Sequence, residues 1–241
     1  MIDGVQVTHV TWEALPYEVE RPAFEEKTSF VPMMAIILLA TGVLLVLMKL
    51  KLFRLWSVWY FLSVWFCLTV ALAVVFGERL ALIVGGLAAA GKVLWRQIVL
   101  HNVTELLIYG GLASVFVPFL NVWSVSILLI LISVYDAIAV WRTKHMVMMA
   151  EAQAKMKLFA GLFLPYGKKK AVLGGGDIGF PLFFSGVMLK QFGWMEALVV
   201  SVIVTGALFL LLMKSEKNRY YPAMPFLSAG CFLGLLVVWL L

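Results

Sequence analysis

Charge is scarce in this chain. Only 13% of its 241 residues are charged, against 63% hydrophobic, where a soluble domain carries about 25% and about 45–50%. That mixture cannot assemble a water-facing surface, so a soluble globular protein is excluded. Cysteine is nearly absent as well. Cys67 and Cys231 both lie inside apolar runs, which excludes a disulfide framework and leaves no metal-ligand spacing. A cleavable signal peptide is lacking, because the first 29 residues are polar and acidic rather than basic and then apolar. There is no internal repeat and no low-complexity tract. The net charge of +6 would suit nucleic acid, but the basic residues cluster between apolar runs, as they do in cytoplasmic loops. Nucleic acid is therefore excluded as a partner; the partner the composition demands is a lipid bilayer. Nothing in the chain asks for a cofactor or a metal.

What the chain has in abundance is long apolar runs. A bilayer-spanning helix needs about 20 such residues. Eight candidates follow: Phe30–Met48, Leu55–Phe76, Leu80–Trp95, Gln97–Phe119, Ser124–Trp141, Asp177–Phe192, Met195–Met213 and Tyr221–Leu241. The expected fold is an all-α, polytopic transmembrane helix bundle of about eight crossings, since lipid offers no partner to open backbone groups. Its parts are a polar segment over 1–29, five crossings over 30–142, a loop over 143–174 and three crossings over 175–241. Within the loop, His145 to Phe163 reads as an interfacial amphipathic helix. Fourteen basic residues fall in one set of loops and four in the other, with Lys92 inside a crossing. The excess marks the cytoplasmic side. The loop 143–174 is then cytoplasmic, and the acidic N-terminal segment and the C-terminus lie outside.

Three carboxylates stand within or at the mouth of apolar runs: Glu105, Asp136 and Asp177. Such residues are costly in lipid and are functional candidates. Glu105 has His101 one turn earlier and reads as a structural pair on one helix face. The other two can meet. Asp136 precedes the cytoplasmic end of its crossing by five residues, roughly 8 Å, and Asp177 begins the next crossing from that same side. Two carboxyls in contact share one proton and titrate as a unit. The ionised member can take a proton from water and the neutral one can donate to a carbonyl, as in aspartic proteases. A proton or cation relay in a transporter uses the same residue types.

The neighbouring residues favour hydrolysis. Tyr135-Asp136 forms a Y-D pair, Gly174-Gly175-Gly176-Asp177 a G-x-G-D run, and Pro222-Ala223-Met224-Pro225 opens the last crossing at its cytoplasmic end. Glycines let other backbone approach an aspartate and permit unusual dihedrals, and prolines break the helical ladder. Each motif alone is weak; their order and common depth make the combination specific. Transport would be favoured by an inverted repeat, and none is visible. A prepilin-type peptidase also carries G-x-G-D, but usually with a lysine two residues on, where this chain has Gly179. Asn102-Val103-Thr104 fits a glycosylation pattern but lies within a crossing and reads as chance.

With these motifs the chain resembles the presenilin and signal peptide peptidase family of intramembrane aspartyl proteases, and its compact size resembles the archaeal branch. The resemblance runs from Phe30 to the end, with Met224 where the family's P-A-L signature has leucine. It implies cleavage of transmembrane helices or signal peptides by Asp136 and Asp177 in an archaeal cell membrane, with no accessory subunit required by the sequence. It implies a substrate site shaped by Tyr135, by Val172, Leu173, Gly174 and Gly176, and by Pro222, Ala223 and Met224. The family's fold has nine crossings with the Y-D aspartate in the sixth; here it falls in the fifth candidate, so the expectation is that the first family helix is missing.

Overall fold

The computed structural model describes residues 25–95, 97–143, 159–166, 169–214 and 221–240. Eight long helices follow the apolar runs: α1 Phe30–Lys49, α2 Phe53–Phe76, α3 Glu78–Trp95, α4 Ile98–Phe116, α5 Val122–Trp141, α6 Gly175–Gln191, α7 Trp194–Lys214 and α8 Met224–Leu240. Five of them (α1, α2, α4 with its 3-10 extension to Phe119, α5 and α7) are long and apolar enough to cross a membrane unaided. The other three are shorter or more polar. The breaks have local causes. Gly77 ends α2 with φ 72°, a left-handed conformation that disfavours other residues. Asn121 and Ser124 form a reciprocal capping box that starts α5, occupying two N–H groups that would otherwise be orphaned.

A β-hairpin interrupts the helices. Strands β1 Gly161–Tyr166 and β2 Lys169–Gly174 pair antiparallel, from Gly161 opposite Gly174 to Tyr166 opposite Lys169. This hairpin packs against α4 and α6. Irregular or extended backbone beside membrane-spanning helices is tolerated where protein covers it. Of the interfacial helix expected over His145 to Phe163, residues 145–158 lie outside the described residues. Gly161, Leu162 and Phe163 are strand, so the expectation fails there. The reason is pairing with β2 and with α4, which helical periodicity in one segment cannot reveal.

Two packed clusters organise the bundle. One gathers α5, α6, α7 and α8 around Leu128, Phe184, Met188 and Leu227. The other joins α2, α3 and α4 around Leu68, Ala89 and Ile108. Close approach depends on missing side chains. A Cβ at Gly111 would collide with the Cys67 carbonyl, and one at Gly234 would lie 3.0 Å from the Val200 Cα. Leu, Val, Phe and Trp side chains cover much of the outside, the pattern of helices solvated by lipid. At one end of α6, Lys190 pairs with Glu26 at 2.8 Å and donates to the Pro118 and Leu120 carbonyls.

Candidate active site

Helices α5 and α6 pack together and bring Asp136 and Asp177 within electrostatic reach of each other. Asp136 is 5% exposed, and Asp177 is partly buried in the first turn of α6. Among the described residues, the lysine–carboxylate pairs are Lys92–Glu105 and Lys190–Glu26, and His101 also lies 3.9 Å from Glu105. Neither aspartate is neutralised by one of them. No group of three or more possible metal ligands occurs among the described residues.

Asp136 is aimed by the start of α8. Its Oδ2 accepts the Met224 N–H at 3.2 Å, and the Ala223 N–H lies nearby. The first N–H groups of a helix have no intrahelical partner and favour an anion. Pro225 contributes no N–H at all. Pro225 falls in the first turn of α8, where an N–H has no intrahelical partner, and the open Met224 N–H of that turn goes to Asp136. Pro222, Ala223 and Met224 are all buried beside it, and Tyr135 is half-buried next to it on α5. One turn away, Ser133 Oγ and Ser228 Oγ lie 2.8 Å apart and tie α5 to α8. Two serines far apart in sequence give no signal of such a bond.

Asp177 is aimed by the end of the hairpin. Its carboxylate lies beside the Gly174 N–H, and a Cβ on Gly174 would stand 3.1 Å from Asp177 Oδ2. Gly174 itself has φ −64° and ψ 147°, extended backbone open to any residue. Among the described residues only Gly77, Gly161 and Gly193 have positive φ among the glycines. The glycines before Asp177 thus serve closeness rather than unusual dihedrals. Gly175 makes the same point: its Cβ would lie 3.1 Å from Tyr109 Oη and 3.3 Å from the Ala160 carbonyl oxygen, whose bond from the Gly175 N–H is 3.1 Å. Gly176 is exposed and Leu173 buried; Val172 is described by its backbone in β2. Tyr109 is buried, with a hydroxyl that has no partner in hydrogen-bond geometry among the described residues. A tyrosine in an apolar run carries no sequence signal of that placement.

Glu105 has a different partner from the one its helix suggests. Lys92 of α3 sits 2.6 Å from Glu105 Oε1, and both side chains are almost fully buried. His101 is 3.9 Å from the same oxygen, while its Nε2 lies 2.9 Å from the Gly161 carbonyl oxygen.

The sequence model of the family described as signal-peptide peptidase, presenilin aspartyl protease matches residues 13–179, a stretch that contains both aspartates. The chain belongs to this family. It is an integral membrane protein and an intramembrane aspartic endopeptidase acting on transmembrane substrates. The fold agrees: a solved presenilin family intramembrane aspartate protease, crystallised in space group C222, is 24% identical with a TM-score of 0.67. The alignment covers 90% of this chain and 86% of that one. A second structure, in space group P2, gives 24% identity and 0.66 over 91% and 86%. No curated protein matches the chain significantly. Nothing in these comparisons favours a transporter.

Proposed function

We propose that Asp136 and Asp177 are the catalytic pair of this endopeptidase. The observation that carries the reading is two carboxylates on adjacent helices within electrostatic reach of each other, Asp136 accepting the Met224 N–H, Asp177 beside the Gly174 N–H, and neither paired with a cation among the described residues. In the reaction one carboxylate removes a proton from water, which attacks the scissile carbonyl. The other carboxyl donates its proton to the carbonyl oxygen. Collapse of the tetrahedral intermediate breaks the C–N bond. The amine takes a proton from one carboxyl as a hydroxyl of the intermediate returns one to the other, so the product is a carboxylic acid and the dyad is left again with its single shared proton.

A transmembrane helix hides its peptide bonds within its own ladder, so the substrate must be locally unwound. Its freed backbone groups then need new partners where water is scarce, and an exposed strand edge supplies them. In this reading β2 is that edge, presenting the substrate through Val172, Leu173 and Gly174. Tyr135, Gly176 and the Pro222-Ala223-Met224 turn flank the cut bond. Transmembrane segments or signal peptides fit such a site, and an archaeal cell membrane suits the compact chain. The reading requires no accessory subunit.

The test is cleavage of a single-pass transmembrane substrate by purified protein in detergent. Asp136→Ala and Asp177→Ala are each expected to lose about 10²–10⁴-fold in rate while melting like the wild type. Wild-type rates in either variant would remove that residue from the dyad.

A further inference from the structure

One side chain treats β1 as a neighbouring strand would. Asn102 Nδ2 donates to the Phe163 carbonyl oxygen at 2.8 Å, and Asn102 Oδ1 accepts the Phe163 N–H at 3.0 Å. On the same helix, His101 Nε2 meets the Gly161 carbonyl oxygen at 2.9 Å; a carbonyl only accepts, so that nitrogen carries the hydrogen. The His101 and Phe163 rings lie 4.8 Å apart. Helix α4 is itself pinned to α3 here, because Lys92 Nζ reaches Glu105, Thr104 Oγ1 and the His101 carbonyl.

The N–H and C=O of one strand residue point to the same side, and successive residues alternate. Gly161 and Phe163 therefore face away from β2, and so does residue 165. That residue is proline and has no N–H to offer. An open strand edge invites another strand, and this one is sealed by two side chains and a proline. Phe163 is paired with Val172, so the Val172 N–H and C=O point out of the opposite edge. The hairpin is left with one edge to which a strand can add, five residues ahead of Asp177.

We propose that Asn102, assisted by His101, is a positioning residue that fixes the hairpin against α4 and thereby sets which substrate bond reaches the dyad. This rests on the reading that β2 receives the substrate. Pairing with β2 holds the substrate to the hairpin, and the Asn102 bracket holds the hairpin to the bundle. Without the bracket the substrate still pairs, but the sheet shifts along α4 and different bonds are presented.

The experiment uses the full chain in detergent with a single-pass transmembrane substrate. Cleavage products are mapped by mass spectrometry, and kcat and KM are determined separately. Asn102→Leu keeps the side-chain volume and removes both bonds. It is expected to lower kcat roughly tenfold, to leave KM within about twofold, and to spread cleavage to bonds flanking the main site. His101→Leu should spread it less, and His101→Gln, which restores an N–H donor, should return the wild-type products. Val172→Pro, which removes the N–H from the open edge, should raise KM or abolish cleavage. If Val172→Pro is impaired while folded Asn102→Leu gives wild-type products at the wild-type kcat, the bracket proposal is overturned and the strand reading stands. If Val172→Pro cleaves normally, strand addition fails and the bracket proposal falls with it.

Discussion

Two buried acidic sites in this bundle have opposite settings. In the α2–α3–α4 cluster, Glu105 faces the Lys92 ammonium at 2.6 Å, with Thr104 also within reach of that lysine. Between α5 and α6, Asp136 and Asp177 lie within electrostatic reach of each other, Asp136 accepting the Met224 N–H and Asp177 set beside the Gly174 N–H. A carboxylate matched by a cation is chemically spent and works as a fastener. Two carboxylates with no cation opposite can share one proton, and on the reading proposed above they retain both an acid and a base. Both places take carboxylates out of water; what differs is whether a lysine stands opposite.

The largest effect that could break this comparison lies at the paired site. Glu105→Ala leaves Lys92 buried without its anion, and the loss of a buried partner typically costs 3–5 kcal/mol. Thermal unfolding in detergent should show a large destabilisation, with cleavage falling only as the folded fraction falls. Lys92→Met combined with Glu105→Leu should recover most of the loss. A second prediction sharpens the unpaired site. Gly174→Ala places a methyl against Asp177 Oδ2 in backbone any residue can adopt. Cleavage is expected to fall roughly tenfold, about 1.4 kcal/mol, while the melting temperature holds or rises slightly. A fall in melting temperature of several degrees would show that Gly174 serves packing instead.

Smaller effects are expected at the supports of Asp136. Pro222→Ala with Pro225→Ala restores N–H groups at the start of α8 and regularises it. Cleavage should drop by roughly fivefold, about 1 kcal/mol, with substrate binding less affected. Ser133→Ala removes the bond to Ser228, though Ser228 keeps a longer contact to the Leu129 carbonyl. About 0.6 kcal/mol of stability is expected to go, readable as a small shift in unfolding midpoint. A larger loss would mean that this serine pair, rather than apolar packing, locks α5 to α8.

The helices were legible in the sequence because lipid enforces length and continuity. The run expected over Ser124–Trp141 is helix over Val122–Trp141, and Met195–Met213 is helix over Trp194–Lys214. The two aspartates were legible because charge in an apolar run is conspicuous and loop charges give depth. The hairpin was not, since β1 is stabilised by Asn102 and His101, some 60 residues earlier in the chain. Asn102 looked like an accidental glycosylation pattern, and only its bonds to Phe163 give it a use. Lys92 as the partner of Glu105 was hidden for the same reason: helix spacing points to His101 within α4, whereas the closer contact crosses between helices.

Pro181, one turn beyond Asp177 inside α6, has a mechanical consequence. Its missing N–H leaves the Asp177 carbonyl without the bond it would receive from residue 181, so the first turn of α6 is coupled more loosely to the rest of that helix. The same turn is fastened backwards by the Gly175 N–H to the Ala160 carbonyl, with the Asp177 carboxylate set beside the Gly174 N–H. Asp177 is therefore geared to the hairpin more than to the shaft of its own helix. A load that displaces the hairpin carries this carboxylate with it, while Asp136, anchored to the start of α8, stays in place.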